Sequence, residues 1–345
     1  MRDGFATVTR TLMVIDLKGA KPPPIKPVAV LQWPVRWSRG MSLVELMVAL
    51  VIGLVLSATT IMVYINNKHA YQVQDNTATL QENGRFALHL LREDIRMAGY
   101  WGLNYASEDI NNAETVTLGN ECAPGWATNY ANPLTSVNNA NTGYTPCIPN
   151  ADYSGNTDIL TVRHASSEPV PSASINENNV YLLTSLTEGM AFKADAASTI
   201  DAGVSVSESP TALYQVVAHA YYIRPWSRAA GDGIPTLVRE VIAGGAMAAE
   251  PLVEYVEDFQ VTFGLDSNGD GSVDLYDDNG IESSDIDQVM TVIAEVLVRA
   301  PVVEAGYTNT RTYQLGDRVY TVNDGFRRQL FTDTIFLRNW SGLRR

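Results

Sequence analysis

From Met41 to Ile65 the chain carries one charge, Glu45, among Leu, Val, Ile, Ala and Met. A helix rises 1.5 Å per residue, so about 25 such residues cross a hydrocarbon core of about 30 Å. Beyond this run the pattern changes without a break. Ala70, Val73, Thr77, Leu80, Gly84, Ala87, Leu91, Ile95 and Ala98 recur at steps of three and four, the period of a helix with one apolar stripe. No proline interrupts this stretch, so one helix is expected from about Ser42 to Ala98. Its first half is apolar all round, and its second half presents one face to a globular partner. Gly99 is the expected stop.

After Trp101 the periodicity shortens to strand-like runs between Asn, Gly, Ser and Pro clusters. Strands are expected at Asp158 to Ala165, Val180 to Thr184, Leu213 to Arg224, Thr236 to Ile242, Val253 to Leu265, Val289 to Arg299 and Arg328 to Asn339. Residues 102–157 read as a long, polar, strand-poor insertion. The fold class that follows is α+β, a long N-terminal helix packed on an antiparallel β-sheet head. It divides into residues 1–40, where Pro22, Pro23, Pro24 and Pro27 forbid a helix, a membrane span over 41–65, an amphipathic continuation over 66–99 and a β-rich head over 100–345.

Charge sets the direction of the span. Arg36 and Arg39 precede it, and after Glu45 no charge follows until Lys68, which puts the N-terminal side in the cytoplasm by the positive-inside rule and the head on the far side. The 345 residues carry a net charge of −14, although residues 1–40 hold seven Lys/Arg against two Asp/Glu. The exported part is therefore strongly acidic, which opposes nucleic-acid binding by this subunit. Cys122 and Cys147 are the two cysteines. Both lie beyond the span, in an oxidising compartment on this topology, and are expected to pair, the alternative being two independent buried thiols.

An acidic side chain inside an apolar span costs about 2.5 to 3.5 kcal/mol on insertion scales, so Glu45 needs a cation. The stretch Gly40-Met41-Ser42-Leu43-Val44-Glu45-Leu46 with the run behind it resembles the type IV prepilin signature. A signal peptide would have a shorter apolar core followed by its cleavage site, whereas here the glycine and basic residues come first. The resemblance implies that residues 1–40 are a leader, that a prepilin peptidase cuts between Gly40 and Met41 and methylates the new terminus, and that Glu45 pairs with the terminal amine of a neighbouring subunit. Met41 stands where the family usually has Phe. Leaders of this family are short, so an internal start at Val28, Val30, Leu31 or Val35 is a further reading of residues 1–40.

A second resemblance covers the C-terminal half. Tyr221-Tyr222-Ile223, Pro235-Thr236-Leu237-Val238-Arg239, Val256-Glu257-Asp258-Phe259-Gln260-Val261, Arg327-Arg328 and Leu337-Arg338-Asn339 are similar to PilW-type minor pilins. This implies a pilin-like fold and a non-enzymatic minor pilin of a type IV pilus, anchored in the inner membrane with a periplasmic head and then carried to the cell surface for motility and adhesion. Its partners would be other minor pilins, the major pilin and prepilin peptidase. A J-type pseudopilin of type II secretion, or a calcium-dependent tip adhesin, are the rival readings.

Calcium enters through residues 266–277, which follow the EF-hand loop pattern. Asp266, Asn268, Asp270, the Ser272 carbonyl and Asp274 supply the oxygens that hard Ca²⁺ requires, and Gly271 permits the turn. Asp277 stands in place of the closing Glu and is one methylene shorter, so Asp278 competes for that role. An acidic β-turn is the plainer alternative. No Gly-x-Ser-x-Gly, Walker or dinucleotide fingerprint occurs, and His69, His89, His164 and His219 are too far apart to suggest a zinc motif. For processing, Gly40→Leu is expected to leave an uncleaved precursor, read by mass spectrometry of the N-terminus. Mature protein at normal yield would remove the prepilin assignment.

Overall fold

Ser42 opens the long helix. Its Oγ accepts the Val44 amide at 3.3 Å, a donor that a first helical turn leaves bare, and its carbonyl accepts the Leu46 amide at 3.1 Å as the first helical bond. The helix, α1, runs Leu43–Met97, one residue inside each expected end. At the stop Gly99 takes φ 74°, a left-handed conformation that a Cβ disfavours, and its amide turns to the Arg163 carbonyl at 3.1 Å. The computed structural model describes residues 40–339 apart from 105, 114–115, 195–203, 208 and 282–284. The expected leader up to residue 39 lies outside the described residues. Residues up to Thr60 and those from Ile61 onward form separate compact units.

In the second unit the strands follow in order: β1 (Ile110–Asn112), β2 (Leu134–Val137), β3 (Ile159–Ala165), β4 (Val180–Thr184), β5 (Gly189–Lys193), β6 (Ala212–Arg224), β7 (Thr236–Ala243) and β8 (Ala246–Glu254). These form an eight-stranded sheet in the order β1-β5-β4-β6-β3-β2, with β7 on β6 and β8 on β7. All its pairs are antiparallel except β1 with β5. Then come β9 (Val256–Leu265), β10 (Leu275–Asp277), β11 (Val289–Arg299), β12 (Thr312–Leu315), β13 (Arg318–Thr321) and β14 (Arg328–Phe336). The second sheet is β10-β9-β11-β14, and β12 with β13 makes a separate hairpin.

One expected strand, Val253 to Leu265, is two. Tyr255 sits at φ 67°, where no β ladder can continue, so β8 closes the first sheet and β9 opens the second. The insertion also holds more order than its polar composition suggests, because it contributes β1 and β2 and pairs β2 to β3 from Leu134↔Val162 to Val137↔Ile159.

The stripe on α1 is buried at Leu80, Gly84, Ala87, Leu88, Leu91 and Ile95, against Val256, Phe259, Val261, Val292, Ala294, Val296 and Ile335 of the second sheet and Leu160, Val162, Tyr221 and Ile223 of the first. It starts later than the periodicity suggests. Ala70 is exposed and Val73 half-buried, and the first ties to the head are Gln72 Nε2 to the Val303 carbonyl at 2.9 Å and Asn76 Nδ2 to the Val302 carbonyl at 3.0 Å. Asn339 Nδ2 donates to the Arg96 carbonyl at 3.1 Å, capping the other end.

The opposite face of β3 and β6 is also covered. Ile159, Ala165, Tyr214, Val216, Ala218, Ala220 and Tyr222 pack with Trp101, Trp126, Tyr130 and Tyr144 from the insertion and its flank. Every residue of β3 is therefore buried. Cys122 and Cys147 are joined, with Cα atoms 4.6 Å apart, so the expected pair forms within this cover.

At Gly84 the Phe331 side chain of β14 lies against the helix backbone, since a Cβ there would lie 2.2 Å from the Phe331 ring. Overpacking of this kind costs about 1 to 3 kcal/mol, whereas Gly to Ala in an open helix gains about 0.5 to 1 kcal/mol. Gly84→Ala is thus expected to lower the thermal midpoint of the detergent-solubilised chain, and to raise it in a Phe331→Ala background. The same sign in both backgrounds would show that Phe331 does not set the size limit.

Candidate functional site

The residues expected to act in assembly stand at the start of α1. Ser42 is the N-cap, and Glu45 occupies the third helical position, where a carboxylate also gains from the positive end of the helix dipole. Every large apolar side chain from Met41 to Ile65 is exposed, Leu43 at 75% and Leu54 at 69%. This part of α1 is unburied and is long and apolar enough to cross a membrane. A continuous apolar surface of this extent requires cover by lipid or by other protein.

The acidic loop joins β9 to β10, whose register pairs Leu275 with Leu265 and Asp277 with Phe263. Its carboxylates turn inward onto the backbone. Asp266 accepts the amides of Gly269 at 2.6 Å, Asp270 at 3.1 Å and Gly271 at 2.8 Å. Asp274 accepts those of Ser267 at 3.0 Å and Asn268 at 3.2 Å, and Asp270 that of Ser272 at 2.8 Å. Asp277 instead accepts from Asn279 N and Nδ2, both at 2.9 Å. The donor set is all oxygen, exposed at Asn268, Asp270, Ser272 and Asp274 and half-buried at Asp266 and Asp277, which suits a hard cation.

The residues that carry the C-terminal resemblance lie at polar contacts of the head. Tyr222 donates to Glu240 Oε1 at 3.1 Å, Arg318 meets Asp258 at 2.9 Å, and Arg328 forks between Glu257 and Asp324. Their role is to join β6, β7, β9, β13 and β14. Arg163, buried on β3, donates to the Trp126 and Asn132 carbonyls, both at 2.6 Å, and burial lowers its pKa to about 10.

A further cluster escapes any sequence pattern. His164 and His219, set aside above as too far apart, converge on Asp94 of α1. Asp94 Oδ1 lies 3.0 Å from His164 Nε2, and its Oδ2 lies 2.9 Å from His219 Nδ1 and from the Tyr221 hydroxyl. Asp94 and His164 are buried and His219 nearly so. Burial alone would raise the Asp94 pKa, but the field of His219 and hydrogen bonds from both imidazoles hold it well below the ordinary carboxylate value. The one hint in the sequence is a charged residue on the apolar stripe, three positions after Leu91 and next to Ile95.

Residues 38–61 match the prokaryotic N-terminal methylation motif, and this match together with the apolar helix fits a membrane-anchored pilin. Residues 220–339 match the family described as Type IV Pilus-assembly protein W, and the two matches together support a PilW-type minor pilin. Among solved structures the chain is similar to the type IV-like pilin TTHA1219 from Thermus thermophilus, at 12% identity, covering 76% of this chain and 98% of that one with a TM-score of 0.35. No curated protein matches the chain.

Proposed function

We propose that this chain primes or tips a type IV pilus. In this reading the leader is cut between Gly40 and Met41 by prepilin peptidase, Met41–Ile65 anchors the subunit in the inner membrane with its N-terminal side cytoplasmic, and the head waits in the periplasm before joining the filament. The carrying observation is the fully exposed apolar start of α1 with one carboxylate, Glu45, in it. A buried terminal amine from a neighbouring subunit supplies the cation that Glu45 needs, and the apolar surface around it packs against other minor pilins and the major pilin. The subunit acts by packing rather than by catalysis. The match over residues 220–339 favours this reading over a J-type pseudopilin of type II secretion.

Glu45→Val is expected to insert in the membrane at least as well as wild type, because an insertion cost is removed, and to lose most piliation, counted by electron microscopy in a strain lacking the native copy. Normal pilus numbers would exclude the carboxylate as an assembly contact.

A calcium-dependent contact at the filament tip is the second reading, supported by the exposed oxygen-rich loop between β9 and β10. Asp266, Asn268, Asp270, Ser272 and Asp274 would hold Ca²⁺, with Asp277 or Asp278 closing the site. The short closing side chain argues for a dissociation constant of about 10⁻⁴ to 10⁻³ M. Calcium is expected to give one binding heat by calorimetry and to raise the melting temperature, both lost in Asp270→Ala. No heat and no shift up to several millimolar calcium would leave an acidic turn.

A further inference from the structure

The site lies where α1 ends against the head. Asp94 reaches from the helix, His164 from β3 and His219 from β6, and the β3–β6 register, Val162↔His219 and His164↔Val217, makes the two histidines diagonal neighbours on the face that receives the helix. One ligand atom from each lies within 4.8 Å of the other two. His164 Nδ1 is 2.7 Å from the Ala165 carbonyl, which can only accept, so this nitrogen bears the hydrogen. Its Nε2 faces Asp94 Oδ1 at 3.0 Å. The imidazole nitrogens and the Asp94 carboxylate thus converge in one small, largely buried volume, and each can serve as a ligand atom.

We propose that Asp94, His164 and His219 hold a divalent transition-metal ion of the zinc class, which ties the last turns of α1 to the middle of the head. Two imidazoles and one carboxylate are donors for such an ion, and the imidazoles disfavour calcium and magnesium. Bonds of about 2.0 to 2.1 Å in a tetrahedral site put ligand atoms about 3.3 Å apart. His164 Nε2 lies 3.0 Å from Asp94 Oδ1 and His219 Nδ1 2.9 Å from Asp94 Oδ2, and with one ligand atom of each residue within 4.8 Å of the other two, side-chain rotation closes the set on an ion. The surroundings also orient the ligands, as outer groups do around metals. The Ala165 carbonyl fixes the ring of His164, and the Tyr221 hydroxyl, 2.9 Å from Asp94 Oδ2, steadies the carboxylate. This site is separate from the oxygen-rich loop in position and in donor chemistry, and it does not depend on the assembly reading.

The test uses the full mature chain in detergent, freed of metal and kept in excess calcium so that the loop does not compete. Co²⁺ is expected to bind at one equivalent with the visible absorption of a four-coordinate site, and one equivalent of Zn²⁺ should displace it. His164→Gln and His219→Gln should each weaken binding more than about tenfold, a loss of the size seen even for outer-shell changes, while Asp270→Ala leaves it unchanged. Absence of the band with no retained zinc in the wild type would overturn the proposal, as would unchanged affinity in both Gln variants. Should those variants fail to fold, X-ray absorption of the zinc-loaded wild type decides. A shell with two imidazole nitrogens supports the site, and a shell of oxygens alone refutes it.

Discussion

The head depends on the burial of one stripe of α1. Leu80, Ala87, Leu91, Ile95 and Ala98 are almost entirely removed from water, and a helix derives most of its stability in a protein from a face buried in this way rather than from propensity. Other features follow from that contact. Gly84 is small because Phe331 lies against it, Asn83 and Asn76 reach across to main-chain carbonyls at 3.0 Å, and Tyr255 bends the chain so that β8 and β9 can serve two sheets around the same helix. Asp94 is the exception on the stripe, and its charge is met by groups from the first sheet.

A sheet with a helix on one face leaves its other face bare unless something covers it. The insertion does so, which explains why a segment rich in Asn, Gly and Pro is ordered around Trp101, Trp126, Tyr130 and Tyr144. A polar segment has few apolar groups to offset its chain entropy. The Cys122–Cys147 bond closes a loop with a sequence separation of 25, and in the chain-entropy model this contributes roughly 3 to 4 kcal/mol. Arg163 adds a second tie through the carbonyls of Trp126 and Asn132. Buried guanidinium groups are costly unless their donors are satisfied, so the position of the cover is specified as well as its presence.

Two different surfaces result. The start of α1 is apolar on all sides and suits lipid or the packed helices of an assembly, whereas the end of α1 is apolar on one side and polar at chosen points. Fixed contacts at the head end, including the Arg328, Glu257 and Asp324 group and the Tyr222–Glu240 bond, allow the exposed loop between β9 and β10 to vary without disturbing the core, which is where a binding function would be added.

Local pattern determined much of this protein. The apolar run with Glu45, the helix from Ser42 to Ala98, the stop at Gly99, and strands such as β4 and β11 are set by the order of neighbouring residues, because a helix or strand repeats its faces over a few positions and that repeat is visible in the sequence. The pairing of the two cysteines followed from their number and compartment. Tertiary structure alone decided the rest. The break at Tyr255 depends on a backbone angle imposed by two sheets, short strands such as β1, β5 and β10 exist because a neighbour offers an edge, and Ala70 lies outside the packed stripe because the head begins further along the helix. The convergence of Asp94, His164 and His219 arises from the register of β3 on β6 and from where α1 crosses them. Residues 70 and 125 positions apart from Asp94 share no local period, so only the packed fold could bring them to one point.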